Sequence, residues 1–543
     1  METKDRARIL RSKTYLYLTE FFAGMAIMAV ELGASRLLAP YFSSSQIVWT
    51  IIISTIMIAM ALGNIYGGRS ADRDPDPDRL YLRLLIAAVW IAAIPVLGKY
   101  IILLITGLLI VTINSNLLVV AGFLACMVIF VFPCFLLGTV TPSLARYTVQ
   151  SLGDSGRTVG TLGAFNTIGS ILGTFLPTFV TIPAVGTAAT FLLFSGILLV
   201  LGLIYFLNCG IKRLACILSL VLYVLCALFG SRSNFAFWES SLAYEGESIY
   251  NYLQVKEDKE QVILSTNVLF GVQSIMKKDA SLSGMYYDYA MAALPLAGIG
   301  PEEQAEVLIL GMGTGTYAKQ CLRYFPQIRV EGVEIDGKIT QLAGEYFNAP
   351  KEAAVTTYDG RAYLQTVNKK YDVIMVDAFQ DITIPFQMAS LEFFTQVREH
   401  LNDGGVMVIN MNMRADGEET INTYLQDTIC AVFPSVHTVD VQDYTNRILF
   451  ASKKELAPSR LADTGSAAGI GDEQFVALMS QIEESMMQQD DLVLASKGRV
   501  LTDDKAPVEL LSMRAIDQII QTELVYYKEI FRRDGIKGIL QAI

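Results

Sequence analysis

The chain has 543 residues, of which 52% are hydrophobic and only 17% charged. Soluble proteins of this size carry about a quarter charged residues, so the composition excludes an ordinary soluble enzyme as well as a disordered or collagen-like chain. With 53 acidic against 42 basic residues the formal net charge is −11, which argues against a nucleic-acid partner, since that would need a basic contact face.

The seven cysteines, Cys126, Cys134, Cys209, Cys216, Cys226, Cys321 and Cys430, stand singly, and the only histidines are His400 and His437. No CxxC pair and so few histidines leave no ligand set for zinc. No metal is expected.

Up to about Ser231 the chain is a series of long apolar runs, and after it charges return at normal density. Runs approaching the roughly 20 residues of a spanning helix cover 15–34, 47–67, 83–98, 117–140, 161–182, 187–207 and 213–230. A further run, Ile101–Ile113, is short for a span and reads as an interfacial helix, a re-entrant piece or a partner of the run before it. Residues 1–232 are therefore expected to form a multi-span α-helical membrane domain with seven or eight spans. The first run is too long for a signal peptide and lacks a small-residue cleavage site, so it stays as an anchor. A multi-pass protein of the plasma membrane, with the lipid bilayer as partner, is the expectation.

Orientation follows from the basic residues. The tail carries Lys4, Arg6, Arg8, Arg11 and Lys13, and the loop after the second run carries Arg69, Arg73, Arg79 and Arg83. Both belong in the cytoplasm. Seven spans then leave the rest of the chain outside; eight bring it inside.

Glu20 and Glu31 lie within the first run, with Arg36 shortly after. Ionisable groups at membrane depth are functional candidates, against which stand interfacial placement and a structural Glu31–Arg36 contact. Gly160, Gly163, Asn166, Gly169, Ser170 and Gly173 form a small-residue stripe, the pattern of close helix packing.

Residues 233–300 read as a small β-region, with the strand-like stretches SIYNYLQV, QVILSTN and VQSIMKK. Over 301–543 the pattern becomes that of an α/β Rossmann-like domain closed by a C-terminal helical segment. Glu306–Leu310 is an apolar strand running into Gly311-Met312-Gly313-Thr314-Gly315, a helix pattern follows, and the next strand ends in Glu334. Glycines let the backbone approach a ligand, the helix N-terminus offers free N–H groups, and an acid at the tip of the second strand accepts both hydroxyls of a ribose. That spacing suits NAD or an S-adenosylmethionine-type nucleoside. Asp359-Gly360 at a later strand end, placed to meet an adenine, and Asp377 at the end of the apolar strand Tyr371–Val376 favour the second.

The stretches YNYLQV, GVQSI, MYYDY, LILGMGTGT, GVEID, TYDGRAYL, YDVIMVDAF and LTDDKAPVE, in this order from roughly Glu247 to Leu510, resemble the polyamine aminopropyltransferases, the spermidine synthase family. LLAPYF, GGRSADR and LGTVTPSLAR in the membrane half resemble those of its membrane-fused bacterial members. The resemblance implies a class I methyltransferase-type fold and transfer of an aminopropyl group from decarboxylated S-adenosylmethionine to an amine such as putrescine. It implies Asp377 as general base, Glu334 on the ribose, Asp359 with Gly360 at the adenine, and Gly311, Gly313, Thr314 and Gly315 along the nucleoside and its sulfonium arm. Gln273 and Tyr287 would line the site. The soluble family forms dimers and tetramers, so self-association is implied as well.

Two positions depart from the family pattern. Thr314 stands where the soluble synthases have an aspartate for the charged end of the aminopropyl arm, and Gln380 where they have a second aspartate after the base, with Asp381 one residue further on. Gln380 and Asp381 are therefore the candidates for binding the amine. Asp503 and Asp504 read either as a helix cap and turn before Pro507 or as negative charge at the mouth of the site. These departures keep open another S-adenosylmethionine chemistry (a lyase or cyclase, or a methyl or aminocarboxypropyl transferase). A transporter with a nucleoside-sensing domain is the reading from another class, since GGRSADR resembles the major-facilitator pattern. Adenosyl sulfonium donors are made in the cytoplasm, so the enzyme readings expect the catalytic domain there and an even number of spans.

Overall fold

The computed structural model describes residues 12–42, 45–113, 115–149, 155–230, 235–268, 272–378, 384–412, 414, 419–462, 472–488 and 498–542. The chain divides into two compact units, Met1–Glu239 with Gly246–Tyr252, and Ser240–Glu245 with Leu253–Ile543.

The first unit is helical: α1 (Lys13–Phe42), α2 (Gln46–Arg73), α3 (Pro77–Thr112), α4 (Leu117–Gly138), α5 (Val140–Thr148), α6 (Ser155–Leu176), α7 (Ile182–Cys209) and α8 (Arg213–Gly230). Among the described residues, six stretches are long and apolar enough to cross a membrane, one of them the 55 residues Ser155–Cys209. At about 1.5 Å per residue that stretch is far longer than one crossing. It is divided by a π-helical turn at Pro177–Thr181 and by Gly186, whose φ of 81° no helix permits. The short run Ile101–Ile113 is the continuation of the run before it, within the single 36-residue helix α3. Lys99, the charge that separates the two runs in the sequence, is 5% exposed, with its ammonium 4.7 Å from the centre of the Phe237 ring.

Contacts between the helices fix their directions. A Cβ on Gly169 would meet Phe21 O, and one on Gly173 would meet Met25 O, so α6 runs parallel to α1. Gly33 faces Phe191 while the Tyr15 hydroxyl donates to Leu201 O, so α7 runs antiparallel to α1. Tyr15 stacks on Tyr81 and Gly98 faces Leu37, making α3 parallel to α1. Gly122 faces Phe42 while Thr141, just past α4, reaches Glu20, so α4 is antiparallel to α1. Gly63 against Phe135 and Gly67 against Thr139 make α2 parallel to α4. Gly196 against Tyr223 and Gly230 against Leu192 make α8 antiparallel to α7. The seven long helices α1, α2, α3, α4, α6, α7 and α8 thus alternate in direction, and Gly230 ends on the face opposite Lys13. The small-residue stripe serves close packing at Gly169 and Gly173, whereas Gly160 and Gly163 meet nothing within 4 Å.

The second unit opens with a four-stranded sheet ordered β1 (Leu242–Glu247), β2 (Tyr252–Glu257), β3 (Gln261–Ser265) and β4 (Ser274–Lys277), followed by short helices α9 (Tyr286–Ala290) and α10 (Ala293–Leu296). The main layer alternates strand and helix: β5 (Glu306–Leu310), α11 (Thr316–Tyr324), β6 (Arg329–Glu334), α12 (Gly337–Tyr346), β7 (Ala354–Thr357), α13 (Gly360–Thr366), β8 (Tyr371–Val376), α14 (Leu391–Glu399), β9 (Leu401–Met411) and α15 (Ile421–Cys430). An antiparallel pair, β10 (Ser435–Asp440) and β11 (Arg447–Ser452), completes it, and α16 (Glu473–Gln488) and α17 (Val508–Ala542) follow. The seven strands are ordered β10-β11-β9-β8-β5-β6-β7, with β5 to β9 parallel and β11 antiparallel to β9. This is the Rossmann-like, class I methyltransferase-type sheet. Its central strands are apolar throughout, with Val307, Leu308, Leu310, Val373, Ile374 and Met375 all at 0% exposure, as a parallel sheet covered on both faces requires.

Candidate active site

In the sheet order, β5 lies between β6 and β8, and the chain moves outward from β5 through α11 on one side and from β8 through α14 on the other. The carboxyl ends of β5 and β8 are therefore the topological switch point, where open α/β sheets bind their ligands.

Gly311 leaves β5 with φ at 92°, in the left-handed region. A side chain there would also collide with the neighbouring strand, since a Cβ would lie 2.3 Å from the Asp377 carbonyl oxygen. The Gly311 and Met312 amides both donate to Val333 O, tying the turn to the end of β6. Gly313 and Gly315 also have positive φ, and Gly315 precedes α11. The turn thus carries three glycines within five residues, held between the tips of β6 and β8.

Glu334 ends β6 and is 7% exposed. Its Oε2 accepts from the Gly313 amide at 2.9 Å and its Oε1 from the Asp336 amide at 3.0 Å. Burial raises its pKa, opposed by these amide bonds. Each oxygen keeps a lone pair for a further donor, so two vicinal hydroxyls fit it. Asp359 caps α13 by accepting from the Ala362 amide at 2.8 Å. Gly360 behind it packs toward Met388 and Leu310.

Asp377 follows β8, its amide bonded to Leu310 O at 2.8 Å. Its Oδ2 accepts from the Tyr286 hydroxyl at 2.5 Å and its Oδ1 from Asn410 Nδ2 at 3.1 Å. Asn446 Nδ2 in turn donates to Asn410 Oδ1 at 2.9 Å, orienting that amide. Burial pushes the Asp377 carboxyl up to about 7; the Tyr286 and Asn410 bonds act downward, and the charge of Glu334 adds to the rise. A carboxylate poised near neutrality at the switch point of the sheet is suited to accept a proton.

Sequence reasoning missed Tyr286 and Asn410. The tyrosine meant for the site, Tyr287, is 2% exposed, with its hydroxyl donating to Ile275 O at 2.8 Å and accepting from Ile275 N at 3.0 Å. It holds β4 in place, and its neighbour faces the carboxylate. The signal for Asn410 was a lone amide closing the apolar strand Val406–Ile409.

Gln273 sits just before β4, partly exposed, its amide donating to Leu264 O. Thr314 is 1% exposed, with its hydroxyl 3.0 Å from that of Thr316. Gln380 and Asp381 lie outside the described residues. Asp503 forms a two-pronged ion pair with Arg361 at 2.7 Å and accepts from Ser390 Oγ at 2.6 Å. Arg361 holds the Asp503 carboxyl below the usual range, and the aspartate works as a tie between α13 and the start of α14.

A spermine/spermidine synthase domain matches residues 285–458. The chain is 52% identical over 355 residues to the probable polyamine aminopropyl transferase of Bifidobacterium longum (strain NCC 2705), covering 63% of this chain and 78% of that one. It is 25% identical over 301 residues to the polyamine aminopropyltransferase of Vibrio vulnificus (strain CMCP6), covering 54% of this chain and 97% of that one. Among solved structures, a probable spermidine synthase from Corynebacterium glutamicum ATCC 13032 aligns with 20% identity and a TM-score of 0.35, over 45% of this chain and 95% of that one. By its match to the Bifidobacterium relative and by the domain over residues 285–458, the chain is a transferase belonging to the polyamine aminopropyltransferase family.

Proposed function

We propose that the chain transfers an aminopropyl group from decarboxylated S-adenosylmethionine to an amine such as putrescine, with Asp377 as general base. The observation that carries the reading is the position of Asp377. It stands at the switch point, raised to about 7, against the glycine turn and one strand from Glu334. Glu334 binds the ribose hydroxyls, Asp359 with Gly360 the adenine, and the Gly311–Gly315 turn the sulfonium arm.

In this reading the acceptor arrives as an ammonium and is drawn to Asp377, which takes a proton and frees the nitrogen lone pair. The nitrogen attacks the propyl carbon beside the sulfonium. The carbon–sulfur bond breaks, its electron pair stays on sulfur, and methylthioadenosine leaves neutral. Holding nitrogen and carbon in line supplies much of the acceleration. Tyr286 and Asn410 fix the carboxylate, while Gln273 lines the amine side. Tyr287 supports it through β4.

Residues 1–232 serve as a multi-pass membrane domain in the plasma membrane, 233–300 as the β-region of the catalytic part and 301–543 as the Rossmann-like domain. The six long apolar stretches support this assignment. The test is mass spectrometry of products from purified protein given S-adenosylmethionine or its decarboxylated form, with and without putrescine. Methylthioadenosine plus spermidine from the decarboxylated donor alone is expected. Methylthioadenosine from S-adenosylmethionine without amine would make the protein a lyase or cyclase instead.

A further inference from the structure

We infer that Glu20, Thr141 and Asn166 form a binding site for a protonated primary amine inside the helical unit, which makes that unit an amine-binding module as well as an anchor. The inference rests on the amine-acceptor reading above for its choice of ligand.

Glu20 lies on α1 and is 0% exposed. Thr141 Oγ1 donates to Glu20 Oε1 at 2.5 Å and Asn166 Nδ2 donates to the same oxygen at 2.9 Å. Both donors thus fall on one oxygen, and the buried Oε2 has no hydrogen-bond partner. Among the described residues no lysine or arginine forms an ion pair with Glu20.

The surroundings explain why the site does not relieve itself. Beside Glu20, α1 and α6 meet so closely that a Cβ added on Gly169 would lie 1.9 Å from Phe21 O. Thr141 belongs to the first turn of α5, where the chain restarts after α4. Three separate elements therefore converge on one carboxylate, and they satisfy only half of it. A bare carboxylate oxygen in an apolar interior is strongly disfavoured and is met by a proton or by a cation.

An alkylammonium group carries only donors and at neutral pH is fully charged. It presents an N–H to Oε2 without competing for the two donors already on Oε1. The amines this family handles carry such a group at each end.

The test is equilibrium dialysis of the purified full chain in detergent with radiolabelled putrescine, comparing the unmodified protein with E20Q and E20D, alongside the aminopropyl-transfer assay. The amide oxygen of Gln keeps the Thr141 and Asn166 bonds, so E20Q is expected to lose one equivalent of bound amine and to retain transfer. E20D keeps the charge on a shorter arm and is expected to bind that equivalent, about tenfold more weakly. A purely structural Glu20 gives the opposite order, with Gln harmless and Asp damaging, and would overturn the inference. Equal binding by the unmodified protein and E20Q would overturn it too. Absence of transfer in all three proteins removes the catalytic reading, while the difference of one equivalent still decides the amine site.

Discussion

The Tyr286 hydroxyl donates to Asp377 Oδ2 over 2.5 Å, across 91 residues of sequence, and so joins the short helix α9 to the tip of β8. The remaining oxygen of Asp377 is held by Asn410, from the next strand of the sheet. A carboxylate held on both oxygens is fixed in orientation. Replacing Asp377 by Asn preserves the shape and removes the base. Turnover is expected to fall by about 10²–10⁴-fold, the range for a lost general base, while calorimetry with methylthioadenosine shows unchanged affinity. Turnover equal to that of the unmodified enzyme would remove Asp377 from the role.

The same contact sets the pH dependence. In the proposed role Asp377 works ionised, and burial raises its carboxyl to about 7, so kcat/KM is expected to climb as pH rises through about 7 and to drop below it. The Tyr286 bond stabilises the ionised form and acts downward on that value. Tyr286→Phe removes this help, so the acid limb of the profile should move to higher pH. A Tyr287→Phe variant is the control: its hydroxyl serves Ile275, so it should lose stability and leave the limb in place. A limb that moves with Tyr287 and not with Tyr286 would reverse the assignment.

That pair also marks how far the sequence could be read. The strand–turn–helix–strand pattern around Gly311 and Glu334 is legible because each element has its own local cause: apolar run, glycines, helix period, terminal acid. Choosing between two adjacent tyrosines is a different problem. It depends on the phase of a five-residue helix, which is set by packing against β9, β11 and α11 rather than by local pattern. Asn410 was obscured for a related reason, since its partner is distant in sequence and only the sheet order brings them together. In the helical unit, Lys99 lies between the apolar runs 83–98 and Ile101–Ile113. The structure buries it against the Phe237 ring and lets α3 continue.

The glycine turn gives a second kind of test. Gly311 combines a φ of 92° with a Cβ position 2.3 Å from the Asp377 carbonyl. Gly311→Ala must therefore strain its own backbone, at roughly 1–3 kcal/mol, and push on the strand that carries the base. Thermal unfolding should report the first effect. Transfer should fall by about 10²-fold or more, as displacements on the order of 1 Å do at a reacting centre. Gly313→Ala has room, with Ser274 Oγ 3.6 Å away, and should be the milder variant in both measurements. Equal effects from the two would mean that the Asp377 contact is not what Gly311 protects.

The last prediction concerns the side of the membrane on which the catalytic unit lies. Donor chemistry argues for the cytoplasm and an even number of crossings. The helix directions give seven, because α6 and α7 pass α1 in opposite senses. Charge distribution agrees with that count. On the Lys13 face the helix ends and connections carry Arg69, Arg73, Arg79, Arg83, Arg146, Arg157, Lys212 and Arg213, whereas on the other face the helix ends carry Arg36 alone among the described residues. If the helical unit spans a bilayer, the positive-inside rule expects Lys13 in the cytoplasm and Gly230 outside. A phosphatase reporter, active only outside the cytoplasm, is therefore expected to be active when fused after Ile543 and inactive when fused after Asp76. The opposite result at Ile543, with Asp76 unchanged, would mean that one of the seven helices does not cross, and α8, the shortest of them at 18 residues, would be the one to examine. An active reporter carries its own consequence: the nucleoside donor must be delivered across the bilayer before the transfer can take place.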